Sequence, residues 1–234
     1  MGPLFQDRSD AGRFLAAKLA HHSSDPSLVV LALPRGGVPV AARVAEELNS
    51  PLDVFVVRKL GVPGYEELAM GAIASGGVRV LNEEIIQRLS IPSTAVEAVT
   101  QEEEHELQRA EAAFRGDRDP VDLEGRTVIL VDDGLATGAT MRAAVRALRL
   151  KKPAYITAAV PIGSRDTCDH FRAEVDELIC GECPEPFFAV GTWYANFLPT
   201  TDDEVKQILN HAAHQRRVRR VQEQRSHAHA SHED

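Results

Sequence analysis

Val128-Ile129-Leu130-Val131-Asp132-Asp133-Gly134-Leu135-Ala136-Thr137-Gly138-Ala139-Thr140 runs from four apolar residues into two carboxylates and then into a loop of small and hydroxyl residues. The apolar run predicts a buried parallel strand, and Met141 to Leu150, with alanines, arginines and leucine at helical spacing, predicts the helix after it. The first N–H groups of such a helix lack intrahelical partners and the macrodipole adds partial positive charge, so the loop fits a phosphate. Gly134 and Gly138 let the backbone bend closely around an anion, and Thr137 and Thr140 add hydroxyl donors. Paired carboxylates repel a bare phosphate. Asp132 and Asp133 suit a vicinal diol better, each accepting from one hydroxyl. Together these features point to a phosphorylated sugar; an ordinary strand-to-helix turn capped by an Asp pair is the plainer alternative.

The flanking elements alternate strand and helix. Asp10 to Leu19 predicts an opening helix, Leu28 to Leu33 a short buried strand, and Pro34-Arg35-Gly36-Gly37 a break before a second helix at Val38 to Leu48. That strand-loop-helix is again an anion-binding geometry, now with a guanidinium, or else merely a turn. Val54 to Val57 predicts a strand ending in Arg58-Lys59. The following Leu60-Gly61-Val62-Pro63-Gly64-Tyr65-Glu66-Glu67 mixes glycines, a proline and charge of both signs, and predicts a mobile lid, with a solvated hairpin as the blander reading. Ala69 to Ala74 and Val78 to Leu81 predict a hairpin on the sheet's flank. Over 92–116, Pro92-Ser93-Thr94 with Glu97 resembles a capping box and Gly116 a stop, so this acid-rich stretch predicts a helical insertion. Its stripe of Val96, Val99, Leu107, Ala110 and Phe114 serves the core or a homodimer surface.

Downstream, Tyr155 to Val160 predicts a strand, Ser164 to Arg172 a helix, and Val175 to Ile179 another strand. Cys180-Gly181-Glu182-Cys183, with Cys168 and His170 near in sequence, is a lone CxxC. A zinc site or a redox dithiol would use such a pair, but Cys180 reads more simply as strand-end packing and Cys183 as a loop residue. Asp202-Asp203-Glu204 predicts the start of a terminal helix with Arg216 to Arg220 at its far end, where cations suit the dipole. The tail Ser226 to Asp234 reads as frayed, its histidines at most weak metal ligands.

Composition sets outer limits. A chain of 234 residues with 44% hydrophobic content supports a single α/β domain over 1–234, with a core at about 28–181, the insertion at 92–116, a small hood at 184–200 and a C-terminal helix and tail at 201–234. A net charge of -9 argues against nucleic-acid and membrane-surface binding, which clustered Lys and Arg support. No apolar run approaches the ~20 residues of a membrane helix, the first residues lack signal-peptide order, and three cysteines do not make a disulfide framework, so a cytoplasmic location is expected.

The central stretch resembles the phosphoribosyl pyrophosphate motif of type I phosphoribosyltransferases, purine-type members above all: hydrophobic residues, two acids, then a Thr-Gly turn. The resemblance spans most of Leu28 to Phe197. It implies a mostly parallel sheet with helices on both faces and substrates at the carboxyl ends of its strands. It implies Asp132 and Asp133 as ligands of the ribose 2- and 3-hydroxyls, directly or through water to Mg2+, and Gly134 with Ala136, Thr137, Gly138, Ala139 and Thr140 as the 5-phosphate cradle. Arg35, Gly36 and Gly37 correspond to an early loop that contacts pyrophosphate. In the lid, Arg58 and Lys59 would neutralise the departing pyrophosphate, while Glu67, or Glu66, would handle the proton of the accepting nitrogen. Hypoxanthine-type members carry a third acid where this chain has Ala136, and a base-reading lysine that Ile162-Gly163-Ser164-Arg165 does not supply. Adenine-type members share Leu-Ala-Thr-Gly and draw a glutamate from the loop. Phe187-Phe188-Ala189-Val190-Gly191 is similar to the hood segment that stacks on a purine, with Phe188 and Trp193 as candidate rings or simply as anchors. The expected activity is 5-phosphoribosyl transfer to a nitrogen of a purine-like base. The alternative is a regulator that senses phosphoribosyl pyrophosphate through a protein partner.

Overall fold

The computed structural model describes residues 2–116 and 118–230. In chain order the elements are α1 (Arg8–Lys18), β1 (Val29–Ala32), α2 (Gly37–Glu47), β2 (Leu52–Val54), β3 (Val57–Val62), β4 (Tyr65–Ala74), β5 (Val78–Leu81), α3 (Glu83–Arg88), α4 (Ser93–Arg115), β6 (Thr127–Val131), α5 (Ala139–Leu150), β7 (Tyr155–Ile162), α6 (Arg165–Phe171), β8 (Glu177–Glu182) and α7 (Asp202–Ala230).

The main sheet has the order β2-β1-β6-β7-β8, with every pair parallel. Its strands β1 and β6 are buried along their whole length because both faces are covered, and the pleat sorts the side chains. Val30, Ala32, Ile129 and Val131 face one core layer with α1, α2 and α7. Val29, Leu31, Val128 and Leu130 face the other, with Met141, Ala144, Val145 and Leu148 of α5 and Phe171 of α6. The chain therefore leaves β1 toward one face and β6 toward the other. Between these neighbouring strands the direction of winding reverses, and a crevice opens at their carboxyl ends, where open α/β sheets bind ligands.

Three readings of the sequence change at the periphery. The expected mobile lid is an ordered antiparallel hairpin: β3 and β4 pair around a tight Pro63-Gly64 turn, with Gly64 at φ 79 supplying the conformation a type II turn requires. The register slips between Gly61↔Ala69 and Val62↔Tyr65, so Glu66, Glu67 and Leu68 bulge out of the ladder. With β5 the hairpin makes a second, three-stranded sheet. Next, the insertion is a helix, α4, ended by Gly116 at φ 58, but no side chain caps its start, and Glu97 pairs instead with Arg79 at 2.8 Å. Its stripe is core: Val96, Leu107 and Phe114 pack with Leu60, Met70 and Ile73. Arg115 anchors its end, donating to Asp53 at 2.8 Å and to the carbonyl of Val54 at 2.6 Å.

Finally, α7 starts with a reciprocal cap, the Thr201 amide donating to Glu204 at 2.7 Å and the Glu204 amide to the Thr201 hydroxyl at 3.2 Å. It continues well past Arg216 to Arg220, which lie along it rather than at its end. Arg219 instead reaches the carboxyl end of α2, donating to the carbonyl of Glu46 at 3.3 Å. The backbone of 226–230 is still helical, against the expected frayed tail, and 231–234 lie outside the described residues. Among the described residues no helix is long and apolar enough to cross a membrane.

Candidate functional site

β6 stops at Val131, and Asp132 and Asp133 follow at the mouth of the crevice. The Asp132 amide still donates to Ala159 of β7 at 3.3 Å, while the Asp132 carboxylate accepts from the Asp133 amide at 2.8 Å, so the pair is fixed to the strand end. Beyond it, Leu135 is held between the carbonyl of Ile162 and the amide of Ser164, and the Thr167 hydroxyl donates to the carbonyl of Ala136 at 2.6 Å. Gly138 then takes the left-handed conformation, φ 72, and α5 begins at Ala139. This sends Ala136, Thr137, Gly138, Ala139 and Thr140 around a loop whose inner side carries the unpaired N–H groups of a helix start. The Thr137 hydroxyl accepts from the Ala139 amide at 3.5 Å.

The early loop closes the opposite wall. Beyond the end of β1 come Pro34 and Arg35, joined by a cis peptide, and α2 begins at Gly37. A Cβ on Gly36 would lie 2.7 Å from Asp133 Cγ, and one on Gly37 would lie 2.7 Å from the carbonyl oxygen of Val131 and 3.0 Å from Asp132 Cα. Both positions are too crowded for a real side chain. Gly36 and Gly37 are therefore what lets the two strand-to-helix turns touch. The Arg35 guanidinium meets Asp202 at the start of α7, 2.6 Å away and largely exposed.

A third wall, formed by the N-terminus, has no signal in the sequence. Asp7 caps α1 by accepting from the Asp10 amide at 2.8 Å, which makes Arg8 the first helical residue. The residues before it are stitched to the hood: Leu4 and Phe5 donate to the carbonyl of Trp193, Ala195 donates to Phe5, and Asn196 to Gln6. Arg8 then reaches inward, donating to Asp133 at 2.8 Å and to the carbonyl of Leu198 at 2.7 Å, with its guanidinium 3.9 Å from the Phe197 ring centroid. The Tyr194 hydroxyl donates to the carbonyl of Asp133 at 2.6 Å. Nothing in the local pattern of an N-terminal arginine points to a partner 125 residues away.

Burial, and then the charge of Asp133 beside it, hold the Asp132 carboxyl well above the ordinary carboxylate range. Burial raises Asp133 too, against the opposing pull of Arg8. Burial likewise drives the Tyr194 phenol upward, so it stays a donor. Two acids that resist joint ionisation, with one guanidinium on the outer member, form a site poised for a cation or for hydroxyl donors.

The other expected residues divide. Phe188 is 80% exposed and has a free face, whereas Trp193 is 5% exposed and packs among Phe5, Ala11, Ile162 and Tyr194, its indole N–H buried without a partner among the described residues. Trp193 is thus an anchor of the hood and not an available stacking ring. Arg58 is paired with Glu103 of α4 at 2.7 Å and Lys59 with Glu67 at 3.4 Å, while Glu66 accepts from the Gly64 amide at 3.3 Å. Glu67 is fully exposed. These hairpin contacts stay local and do not join the aspartates. Clefts along α7, such as the one lined by Pro39, Ala42, His211 and Gln215, also lie apart from the aspartates.

The phosphoribosyl transferase domain family model matches residues 6–195. A Mycobacterium tuberculosis (strain H37Rv) protein provisionally named a phosphoribosyl transferase is 50% identical over 209 residues, covering 89% of this chain and 47% of that one, so the chain spans about half the length of that relative. Adenine phosphoribosyltransferase of Mycobacterium avium (strain 104) is 31% identical over 160 residues, 68% of each chain. The crystal structure of TT1426 from Thermus thermophilus superposes with a TM-score of 0.79 at 38% identity, covering 89% of this chain and 98% of that one. With twin aspartates and a helix-start cradle at the seam of a parallel sheet, and a family match running from the N-terminal wall to the hood, this chain belongs to the phosphoribosyl transferase domain family.

Proposed function

We propose that this chain transfers the 5-phosphoribosyl group of phosphoribosyl pyrophosphate to a nitrogen of a purine-like base and releases pyrophosphate. The observation that carries the reading is the contact of the two strand-to-helix turns: Gly36 and Gly37 lie directly against Asp132 and Asp133, so one crevice offers two carboxylates flanked by two anion-binding backbones. A sugar with phosphate at one end, a diol in the middle and pyrophosphate at the other meets each of these in turn.

In this reading Asp132 and Asp133 accept from the ribose 2- and 3-hydroxyls and fix the ring, while the amides from Ala136 to Thr140 and the hydroxyls of Thr137 and Thr140 hold the 5-phosphate. The Gly36-Gly37 backbone and Arg35 receive pyrophosphate, with Arg35 leaving its exposed pair with Asp202 to do so. Arg8 holds Asp133 in place by charge-assisted hydrogen bonding, so the carboxylate is oriented before the sugar arrives. The exposed ring of Phe188 is the stacking surface for a flat heteroaromatic acceptor. Glu67, with Glu66 beside it in the bulge, takes the proton from the accepting nitrogen, and Arg58 and Lys59 approach the leaving group when the hairpin swings over the crevice. Mg2+ fits the hard oxygen donors of Asp132 and Asp133, and when bound it shields the negative charge that develops on pyrophosphate.

The test is pyrophosphate release from phosphoribosyl pyrophosphate with Mg2+ and a panel of purine and pyrimidine bases. Release with a purine, lost in Asp133→Asn, supports the reading. Saturable binding of the sugar diphosphate with no release for any base refutes transfer and points to a sensor.

A further inference from the structure

Three thiols meet behind the phosphate loop, and no step above uses them. Cys168 lies on α6, Cys180 in β8 and Cys183 just beyond β8. The Cys180 sulfur is 2.7 Å from that of Cys168 and 3.3 Å from that of Cys183. All three ligand atoms fall within 4.8 Å of one another. Cys180 and Cys183 have the strand-end and loop positions expected of them, but their sulfurs do not go to separate surroundings. Cys168 is buried, and the other two are partly open to solvent.

The backbone makes room for this cluster. A Cβ on Gly163, where β7 ends, would lie 2.6 Å from the Cys168 sulfur and 2.8 Å from the Cys180 sulfur. Gly163 donates to the carbonyl of Glu182 at 3.0 Å, so the ends of β7 and β8 close on the sulfurs from one side. Arg165 donates to the carbonyl of Cys183 at 3.3 Å while its guanidinium also pairs with Glu185, so the start of α6 is tied to the loop that carries Cys183.

We propose that Cys168, Cys180 and Cys183 bind one thiophilic cation of the zinc type as three thiolates, with the fourth position open to water or a small ligand. Sulfur donors select such an ion over magnesium, so the site is chemically separate from the aspartates. With Zn–S bonds of about 2.3 Å, a tetrahedral arrangement sets the sulfurs about 3.7 Å apart. Two of the observed separations, 2.7 and 3.3 Å, lie within about 1 Å of that spacing, and the third is at most 4.8 Å. A disulfide joins only two sulfurs, at about 2.05 Å, and leaves the third thiol unused. Binding releases the thiol protons to solvent. The ion would staple α6 to β8, and α6 carries Thr167, whose hydroxyl holds the phosphate loop through Ala136.

The experiment uses the full chain, reduced and freed of metal with a chelator, then titrated with Co2+. One equivalent is expected to bring thiolate-to-cobalt charge-transfer bands in the near ultraviolet and tetrahedral d–d bands in the visible, both erased by Zn2+. Alkylation of the folded chain should count two reactive thiols, Cys180 and Cys183, before Zn2+ and none after. Cys183→Ser, at a partly exposed position that leaves the core intact, should weaken Co2+ binding at least tenfold, and His21→Ala, in the separate His21–His22–Glu177 cluster, should leave the spectrum unchanged. The proposal is overturned by a folded, reduced chain that shows no charge-transfer band, by a band that survives Cys183→Ser at full affinity, or by a Cys168–Cys180 disulfide whose reduction restores no metal uptake.

Discussion

Gly36→Ala asks whether contact between the two turns sets the position of Asp133. Gly36 has φ -59 and ψ -36, an ordinary helical conformation, so alanine brings no backbone strain and by propensity alone would stabilise slightly. Its only fault is steric, because the new methyl would lie 2.7 Å from Asp133 Cγ and closer still to the carboxylate oxygen that Arg8 holds. Relief requires the carboxylate to move by about 1 Å, which stretches the 2.8 Å Arg8–Asp133 hydrogen bond past its useful range. That pair is 11% and 16% exposed, so solvent screens it little, and a hydrogen bond between charged groups is worth about 1.5–3 kcal/mol. For a domain of this size the loss lowers Tm by about 3–12 °C. The same displacement spoils one carboxylate–hydroxyl contact, so calorimetry should show phosphoribosyl pyrophosphate binding weakened about 10- to 150-fold. Gly2→Ala, with open space around its Cβ, is the control. A Gly36→Ala chain that binds within twofold of the parent and melts at the same temperature refutes the reasoning.

Arg8→Met should lose sugar-diphosphate affinity by at least tenfold while circular dichroism stays native, since methionine keeps an unbranched apolar side chain but removes the guanidinium that bonds Asp133 and lies over Phe197; unchanged affinity would reduce Arg8 to a surface contact. Phe188→Ala should leave Tm unmoved and raise KM for the base, whereas Trp193→Ala should cost about 3–5 kcal/mol of stability in urea unfolding; the reverse pattern would restore Trp193 as the stacking ring. For pH, Asp132 has a folded pKa raised by burial and by Asp133, so its contribution is fully present below the unfolded carboxylate value of about 3.9 and is lost as pH rises through the folded value. The parent should therefore lose stability relative to Asp132→Asn as pH climbs across that window, and a difference that stays flat between the two urea series contradicts the assignment.

The sheet was legible because its strands are buried on both faces and bounded by turn residues: Val128 to Val131 and Leu28 to Leu33 have no other physical use than a covered parallel sheet. The turn from Ala136 to Thr140 was legible for the same local reason, as a strand, a left-handed glycine and a helix start are neighbours in sequence. Arg8 and Tyr194 were not, because their link to Asp133 depends on docking two distant segments through backbone bonds such as Phe5 to Trp193, which any residue type makes. The strand pairing of Arg58 to Glu67 was hidden because glycine, proline and charge describe an irregular loop and a tight turn equally well. Only the pairing of Lys59 with Ala72 across β3 and β4 separates them. Trp193 stood between two readings for a different cause: an aromatic near a ligand and an aromatic anchoring a segment share one composition, and its burial favours the anchor.

The two arginines that bracket the crevice stand in opposite energetic positions, and this bears on the order of events in the proposed reaction. Arg8 is almost wholly buried with Asp133, so parting them leaves a charge without water, and a ligand gains nothing by separating them. Arg35 and Asp202 are more than half exposed, and such surface pairs contribute at most about 1 kcal/mol. A pyrophosphate offers Arg35 a doubly charged partner with bidentate geometry, which outweighs that contact. Binding is then expected to leave the ribose end of the site as it stands and to rearrange the pyrophosphate end. Because Asp202 lies in the first turn of α7, the exchange also frees the start of that helix from the early loop. Occupancy should therefore register as faster amide exchange near Thr201 with no change near Asp7. Exchange that slows at both ends would mean that Arg35 keeps its partner and that another group meets the leaving anion.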